Sequence, residues 1–75
     1  MAKLRYEISP VAGGWQVSCN GIPGPPYATR DAAVRDTLAV AENFQRDGQP
    51  TEVRLFDMDG IGQILEPRDA RLFSE

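Results

Sequence analysis

Few residues of this 75-residue chain are suited to catalysis, because it has no histidine and a single lysine, Lys3. Without histidine, the most common general base and the Ser-His and Cys-His nucleophile pairs are absent. Asp57 and Asp59 are neighbouring carboxylates, but they fall at the tip of a predicted hairpin, where water leaves carboxylate acidities ordinary. We therefore predict that the chain is not an enzyme and has no catalytic residues.

Metal binding is not favoured either. The segment Asp57-Met58-Asp59-Gly60 resembles the start of a calcium loop, but such a loop needs a glutamate at its twelfth position. Arg68 occupies that position here. Cys19 is the one cysteine of the chain and has no histidine to help it hold a metal. We predict no metal and no cofactor, and we interpret Asp59-Gly60 as a tight turn.

Three further features could bind a ligand, and each also has a purely structural explanation. Cys19 alternates with Trp15 and Val17, which favours a small buried hydrophobe over a reactive thiol. The same alternation places Trp15 in the core, although such rings can also stack on ligands. Pro23 and Pro26 make a minimal Pro-x-x-Pro, for which a rigid loop is the simpler interpretation. A small-ligand site near these residues would require a concave surface with convergent polar groups.

The elements that must position these residues follow from periodicity and turn signals. In chain order they are a strand over 3–9, a strand over 15–19, a Pro/Gly loop over 20–28, a helix over 30–47, strands over 52–58 and 61–66, and a tail over 67–75. This order predicts one small α+β domain over 1–75. Its expected fold is ββαββ, a four-stranded antiparallel sheet with one amphipathic helix on one face.

The helix has clear boundary signals. Thr29 is a suitable N-cap, Asp31 lies in the first turn, and Gly48 and Pro50 end the helix. One helical stripe is apolar or small and should face the sheet: Ala33, Val34, Thr37, Leu38, Ala41 and Phe44. In the first hairpin, a loop over 11–14 gives a consistent register, in which Pro10 faces Trp15, Ile8 faces Val17 and Tyr6 faces Cys19.

The second hairpin has more apolar residues than one face needs. A two-residue Asp59-Gly60 turn pairs Met58 with Ile61 and Leu55 with Ile64, which turns Val53, Leu55 and Ile64 toward the helix. Four residues then form an interaction patch on the opposite face: Phe56, Met58, Ile61 and Leu65. A register slip would expose Val53 and Leu55 instead. The patch should be covered by the tail residues Leu72 and Phe73, by a second copy in a homodimer, or by a bound partner.

Charge and composition limit the possible partners. The net charge is −3, from 8 basic and 11 acidic residues, and the arginines lie near acidic residues rather than in a basic stripe. Nucleic-acid binding is therefore not expected. No stretch approaches the roughly 20 apolar residues that span a bilayer, and the first five residues lack the apolar run of a signal peptide. With a single cysteine, these features predict a cytoplasmic protein.

Several short motifs occur in one order along the chain. They are Tyr6-x-Ile8-x-Pro10, Gly13-Gly14-Trp15-x-Val17, Gly21, Thr29-Arg30-Asp31-Ala32-Ala33 and Asp59-Gly60. In this order they resemble a small bacterial family known only as a domain of unknown function. The resemblance implies the ββαββ fold and brings no catalytic residues. This chain departs from the family pattern at Asp31-Ala32, where Glu-Ala is usual, in its proline-rich loop and in its Leu72-Phe73 tail.

The first 45 residues also resemble antitoxin domains of the HicB type, which have two strands, a Pro-Gly loop and a Thr-capped helix. No DNA-binding segment accompanies this likeness. Two functions are therefore open. The first is a non-catalytic interaction or structural module that acts through protein–protein contact or self-association. The alternative is an acidic, antitoxin-like partner of a small basic toxin.

Overall fold

A computed structural model describes residues 3–73. Its elements, in chain order, are β1 Leu4–Val11, β2 Gly14–Cys19, β3 Ile22–Tyr27, α1 Arg30–Arg46, β4 Thr51–Phe56, β5 Gly62–Leu65 and a C-terminal 3-10 helix, Pro67–Phe73. The last two residues of the predicted tail, Ser74 and Glu75, lie outside the described residues.

The fold is α+β, with one α-helix packed on a sheet, but the sheet is not the predicted four-stranded antiparallel one. It has five strands in the order β3-β2-β1-β4-β5. The central pair, β1 and β4, is parallel, and the other neighbouring pairs are antiparallel. Two antiparallel pairings make β3 run in the same direction as β1. The helix α1 then carries the chain back to the opposite end of the strands, so β4 starts where β1 starts and runs parallel to it.

The additional strand, β3, lies within the segment predicted to be a Pro/Gly loop. Prolines lack the N–H that a central strand must donate, but they are tolerated at a sheet edge, where one side has no neighbour. A bulge in the pairing with β2 falls between Gln16 and Ser18. At this bulge a Cβ on Gly24 would lie 2.9 Å from the carbonyl oxygen of Val17, so only glycine fits without displacement.

The N-cap of α1 and the register of the first hairpin are confirmed. Tyr6, Ile8 and Pro10 pair with Cys19, Val17 and Trp15 in the expected register. The Thr29 hydroxyl accepts a hydrogen bond from the backbone N–H of Ala32 at 3.2 Å. After the helix, Gly48 has a φ of 87°, the left-handed conformation that favours glycine at this position. Two details are wrong: Phe44 of the predicted sheet-facing stripe is 37% exposed, and Val11 pairs with Gly14, so the turn is shorter than the predicted 11–14 loop.

The predicted register of the second hairpin is wrong by one residue. Val53 pairs with Leu65, and Phe56 pairs with Gly62. The turn is therefore a loop over 57–61, in which the backbone N–H of Asp57 donates to the carbonyl oxygen of Ile61 at 3.0 Å. Because side chains alternate along a strand, this shift exchanges the two faces of β5.

As a result Leu65 turns toward α1 and is 4% exposed, whereas Ile64 turns to the opposite face and is 59% exposed. The prediction that a register slip in this hairpin would expose Val53 and Leu55 is also wrong. Both residues remain buried, because β4 keeps its orientation through its pairing with β1.

The core lies between α1 and one face of the sheet, and it continues under the C-terminal 3-10 helix. Its buried members are Ile8, Ala33, Val34, Leu38, Ala41, Val53, Leu55 and Leu65. Ala70 and Phe73 pack against this cluster. The guanidinium of Arg30 lies over the Phe73 ring, 5.4 Å from its centroid, which joins the end of the 3-10 helix to the start of α1.

Candidate functional site

The sheet is wider than the helix that covers it. Five strands about 4.8 Å apart span about 19 Å, whereas an α-helix with its side chains is about 10–12 Å across. The C-terminal 3-10 helix, which follows β5, packs beside α1 and extends the cover on that side. On the side of β2 and β3, no further element of the described chain lies next to α1. A groove remains there.

This β3–α1 groove, between strand β3 and helix α1, has a cavity volume of about 220 Å³. Its floor is formed by Tyr6, Val17 and Cys19 from β1 and β2. The register of the first hairpin places all three on the helix side of the sheet. Because α1 does not reach far enough to bury them fully, they stay half-buried.

Two aliphatic side chains form the rims of the groove. Ile22 of β3 is 71% exposed and Val40 of α1 is 41% exposed, and both line the cavity. Ile22 is paired with Cys19 in the sheet, which turns its side chain toward the helix. Exposed aliphatic groups on both sides of an apolar cleft are typical of a surface that binds another molecule.

Two polar pairs lie within these apolar walls. Tyr27 and Asp36 both line the groove; burial raises the pKa of Tyr27, and the interaction with Asp36 raises it further. On the floor, Tyr6 is paired with Cys19 across β1 and β2, and burial followed by the interaction with Cys19 raises the pKa of Tyr6. Both tyrosines are therefore neutral donors at ordinary pH.

The charge around the groove has one sign. From Ile8 to Thr29, which includes β2 and β3, the chain has no Asp, Glu, Lys or Arg. The facing flank of α1 contributes Asp36, which lines the groove beside Val40. Within residues 3–73, no Lys or Arg forms an ion pair with Asp36. The groove is thus apolar with an acidic flank.

The four residues of the predicted interaction patch do not lie together. Leu65 is in the core, on the opposite side of the sheet from the expected position. Phe56 is half-buried over Gly62, where an added Cβ would lie 2.9 Å from its ring. Met58 and Ile61 are 79% and 65% exposed in the 57–61 loop. The tail does not cover these residues, because it packs on the helix side.

The sheet face away from α1 has an ion cluster instead. The Glu52 carboxylate lies 2.8 Å from the Arg54 Nε, 3.4 Å from the Lys3 Nζ and 3.5 Å from the Arg5 Nε. Hydrogen bonding to Arg54, with a smaller contribution from Lys3, holds the pKa of Glu52 below its ordinary value. Three cations share one carboxylate, so the cluster is positively charged and lacks the apolar walls that the groove offers to a ligand.

The carboxylates considered for chemistry are in the 57–61 loop. Asp59 Oδ1 accepts a hydrogen bond from the backbone N–H of Ile61 at 3.2 Å, so this carboxylate helps shape the turn. No group of three Cys, Asp or Glu side chains in residues 3–73 is arranged to hold a metal ion. Among the helices in that part of the chain, none is long and apolar enough to cross a bilayer.

The groove is not apparent from the sequence, because 20–28 has the composition of a loop. Of the key residues, the sequence indicates only Cys19 as a possible ligand-binding residue, and not Ile22, Asp36 or Val40. The signal in the sequence was the combination of an uncharged stretch from Ile8 to Thr29 with two large apolar side chains in the supposed loop.

Comparison with known proteins gives no relative from which a function could be transferred. No family model matches the chain, and no curated protein or solved structure matches it significantly. The resemblances to a family of unknown function and to HicB-type antitoxins therefore stay predictions, and the case for function is built from the geometry of the groove.

Proposed function

We propose that this protein is a non-catalytic interaction module that binds a protein partner through the β3–α1 groove. The main supporting observation is the exposure of Ile22 and Val40 on the two rims of an apolar cleft of about 220 Å³. Among residues 3–73, the 3-10 helix packs on the other flank of α1, and no element covers this one. Apolar area that a partner can remove from water stabilises a complex by about 25 cal/mol per Å² before the costs of association.

The edge strand beside the groove favours insertion of partner side chains over addition of a strand. Pro23, Pro25 and Pro26 have no backbone N–H, so β3 cannot offer a regular ladder to another chain. An aliphatic or aromatic side chain entering the groove would instead contact both rims. Such anchors contribute most of the binding energy in many interfaces.

The polar groups of the groove support a binding role rather than catalysis. Cys19 lies beside Tyr6, and Asp36 acts on Tyr27. Neither pair contains a histidine that could serve as general base for a nucleophile, because the chain has none. These groups are suited to orienting a bound segment.

A comparison of variants tests this proposal. Affinity purification from the native host uses the wild-type chain, Val40→Arg and Ile22→Ser as groove variants, and Ile64→Arg as a matched control on the opposite sheet face. Circular dichroism first establishes that each variant is folded. We expect a protein that co-purifies with the wild type and Ile64→Arg and is lost with both groove variants.

Three results would overturn the proposal. A partner that is retained by Val40→Arg and Ile22→Ser but lost with Ile64→Arg would place binding on the second hairpin. If sedimentation of the wild type shows concentration-dependent association that Ile64→Arg abolishes, self-association through that hairpin, and not the groove, is the function. A partner that is insensitive to every variant also contradicts a role for the groove.

A further inference from the structure

The β3–α1 groove has a definite electrostatic character. Asp36 is the one charged side chain among the residues that line it. This carboxylate acts on the Tyr27 hydroxyl, and a carboxylate has about four acceptor positions. Asp36 is exposed and forms no ion pair among residues 3–73, so it retains acceptor capacity toward the groove.

The surroundings strengthen the preference for positive charge. Farther along α1, the Arg46 guanidinium donates to Asn43 and Glu42, and neither of these residues lines the groove. The nearest strands contribute no Lys or Arg, because the chain between Ile8 and Thr29 has none. The cations of β1 and β4, Arg5 and Arg54, are held by Glu52 on the opposite face of the sheet.

We infer that the occupant of the groove is a basic segment of a partner protein, with an apolar side chain in the cavity and an adjacent Lys or Arg paired with Asp36. This inference rests on the proposed function and specifies the chemistry of the partner. The cavity volume of about 220 Å³ exceeds the roughly 150 Å³ of an engineered cavity that binds benzene. A leucine or phenylalanine side chain therefore fits.

Three blocked dipeptides with a common anchor test the charge preference: acetyl-Lys-Phe-amide, acetyl-Gln-Phe-amide and acetyl-Glu-Phe-amide. Each is titrated into the folded, ¹⁵N-labelled protein at low salt and followed by NMR chemical shifts. The variant is Asp36→Asn, which keeps an oxygen acceptor for Tyr27. The control is Asp57→Asn, which makes the same charge change in the 57–61 loop.

We expect shifts that cluster at Ile22, Tyr27 and Val40. The Lys peptide should bind about two- to five-fold more tightly than the Gln peptide, as is typical of one exposed ion pair, and the Glu peptide should bind most weakly. The preference should disappear in Asp36→Asn, persist in Asp57→Asn, and diminish as added salt shortens the screening length.

The outcomes separate this inference from the proposed function. Equal binding of the three peptides in the groove would overturn the charge preference and leave the groove as a binding site. Absence of groove shifts with every peptide would overturn the groove itself, and with it both proposals. If the same residues shift on dilution of the protein alone, a second copy occupies the groove, and a separate basic partner is excluded as its occupant.

Discussion

Tyr27, the last residue of β3, and Asp36, in the second turn of α1, both line the groove, and the Asp36 carboxylate acts on the Tyr27 hydroxyl there. Burial and the Asp36 charge both raise the pKa of Tyr27 above 10.0. The folded state therefore favours the neutral hydroxyl. Its contribution to stability is present below pH 10 and is lost as the pH rises through the raised pKa.

Replacing Asp36 with Asn should lower the pKa of Tyr27 toward 10.0 without reaching it, because the effect of burial remains. Absorbance titration of tyrosinate measures this pKa, in a Tyr6→Phe background that leaves one tyrosine in the chain. The control is Asp57→Asn in the same background, which should change nothing. An identical Tyr27 pKa in all three proteins would show that the carboxylate does not act on the hydroxyl.

The Glu52 cluster predicts an acid-sensitive contribution to stability. The pKa of Glu52 is lowered from 4.5, mainly by the hydrogen bond from Arg54. Its contribution is therefore present above the unfolded-state pKa and is lost as the pH falls through the folded-state pKa. Glu52→Gln and Arg54→Gln should both flatten the dependence of unfolding free energy on pH below about pH 5.

Urea denaturation at a series of pH values measures that dependence. Arg46→Gln is the matched control, because it removes a guanidinium that lies 3.2 Å from Glu42 on the surface of α1. It should keep the slope of the wild type. A wild-type slope in Glu52→Gln would contradict the assignment of the acid response to this cluster.

The register of the second hairpin predicts that truncating one residue lowers the stability strongly and that truncating its neighbour lowers it only slightly. Leu65 is 4% exposed and Ile64 is 59% exposed. Leu65→Ala leaves a cavity in the core and should lower the free energy of unfolding by about 2–4 kcal/mol. Ile64→Ala should lower it by less than about 1 kcal/mol. Chemical denaturation of the two variants compares them directly, and a larger loss for Ile64→Ala would support the Asp59-Gly60 two-residue turn instead.

The packing of the C-terminal 3-10 helix predicts a similar difference in stability between variants of two neighbouring residues. Phe73 packs against the core and under the Arg30 guanidinium, whereas the neighbouring Leu72 is 71% exposed. Phe73→Ala should lower the free energy of unfolding by about 1–3 kcal/mol, less than for a fully buried phenylalanine. Leu72→Ala should change it by about 0.5 kcal/mol or less. Equal small effects in thermal or urea unfolding would mean that the tail does not contribute to the fold.

Local signals account for the parts of the fold that were predicted correctly. Thr29 and Gly48 set the limits of α1 because capping depends on the backbone groups of one turn. The first hairpin has only one register that places both apolar sets on the same face, with Ile8 opposite Val17. Neither result required knowledge of the rest of the molecule.

The errors arose where distant contacts decide between local alternatives. Asp59-Gly60 is a strong signal for a two-residue turn, but burial of Leu65 in the core, opposite Val53 of β4, favours a five-residue loop in which Asp59 stabilises the turn. Pro23 and Pro26 argue against a strand in isolation, yet pairing with β2 accommodates them, because an edge strand needs hydrogen bonds on one side only.

The sequence by itself determined the helix, the first hairpin, the α+β class and the absence of histidine chemistry, because these depend on residue types and short-range periodicity. Only the tertiary structure decided the strand order, which residues of β5 lie on the helix side of the sheet, and the open groove beside α1. The groove exists because one helix and a short tail cover a five-stranded sheet incompletely. That mismatch of widths brings Ile22, Tyr27, Asp36 and Val40 together from segments that are separate in the chain.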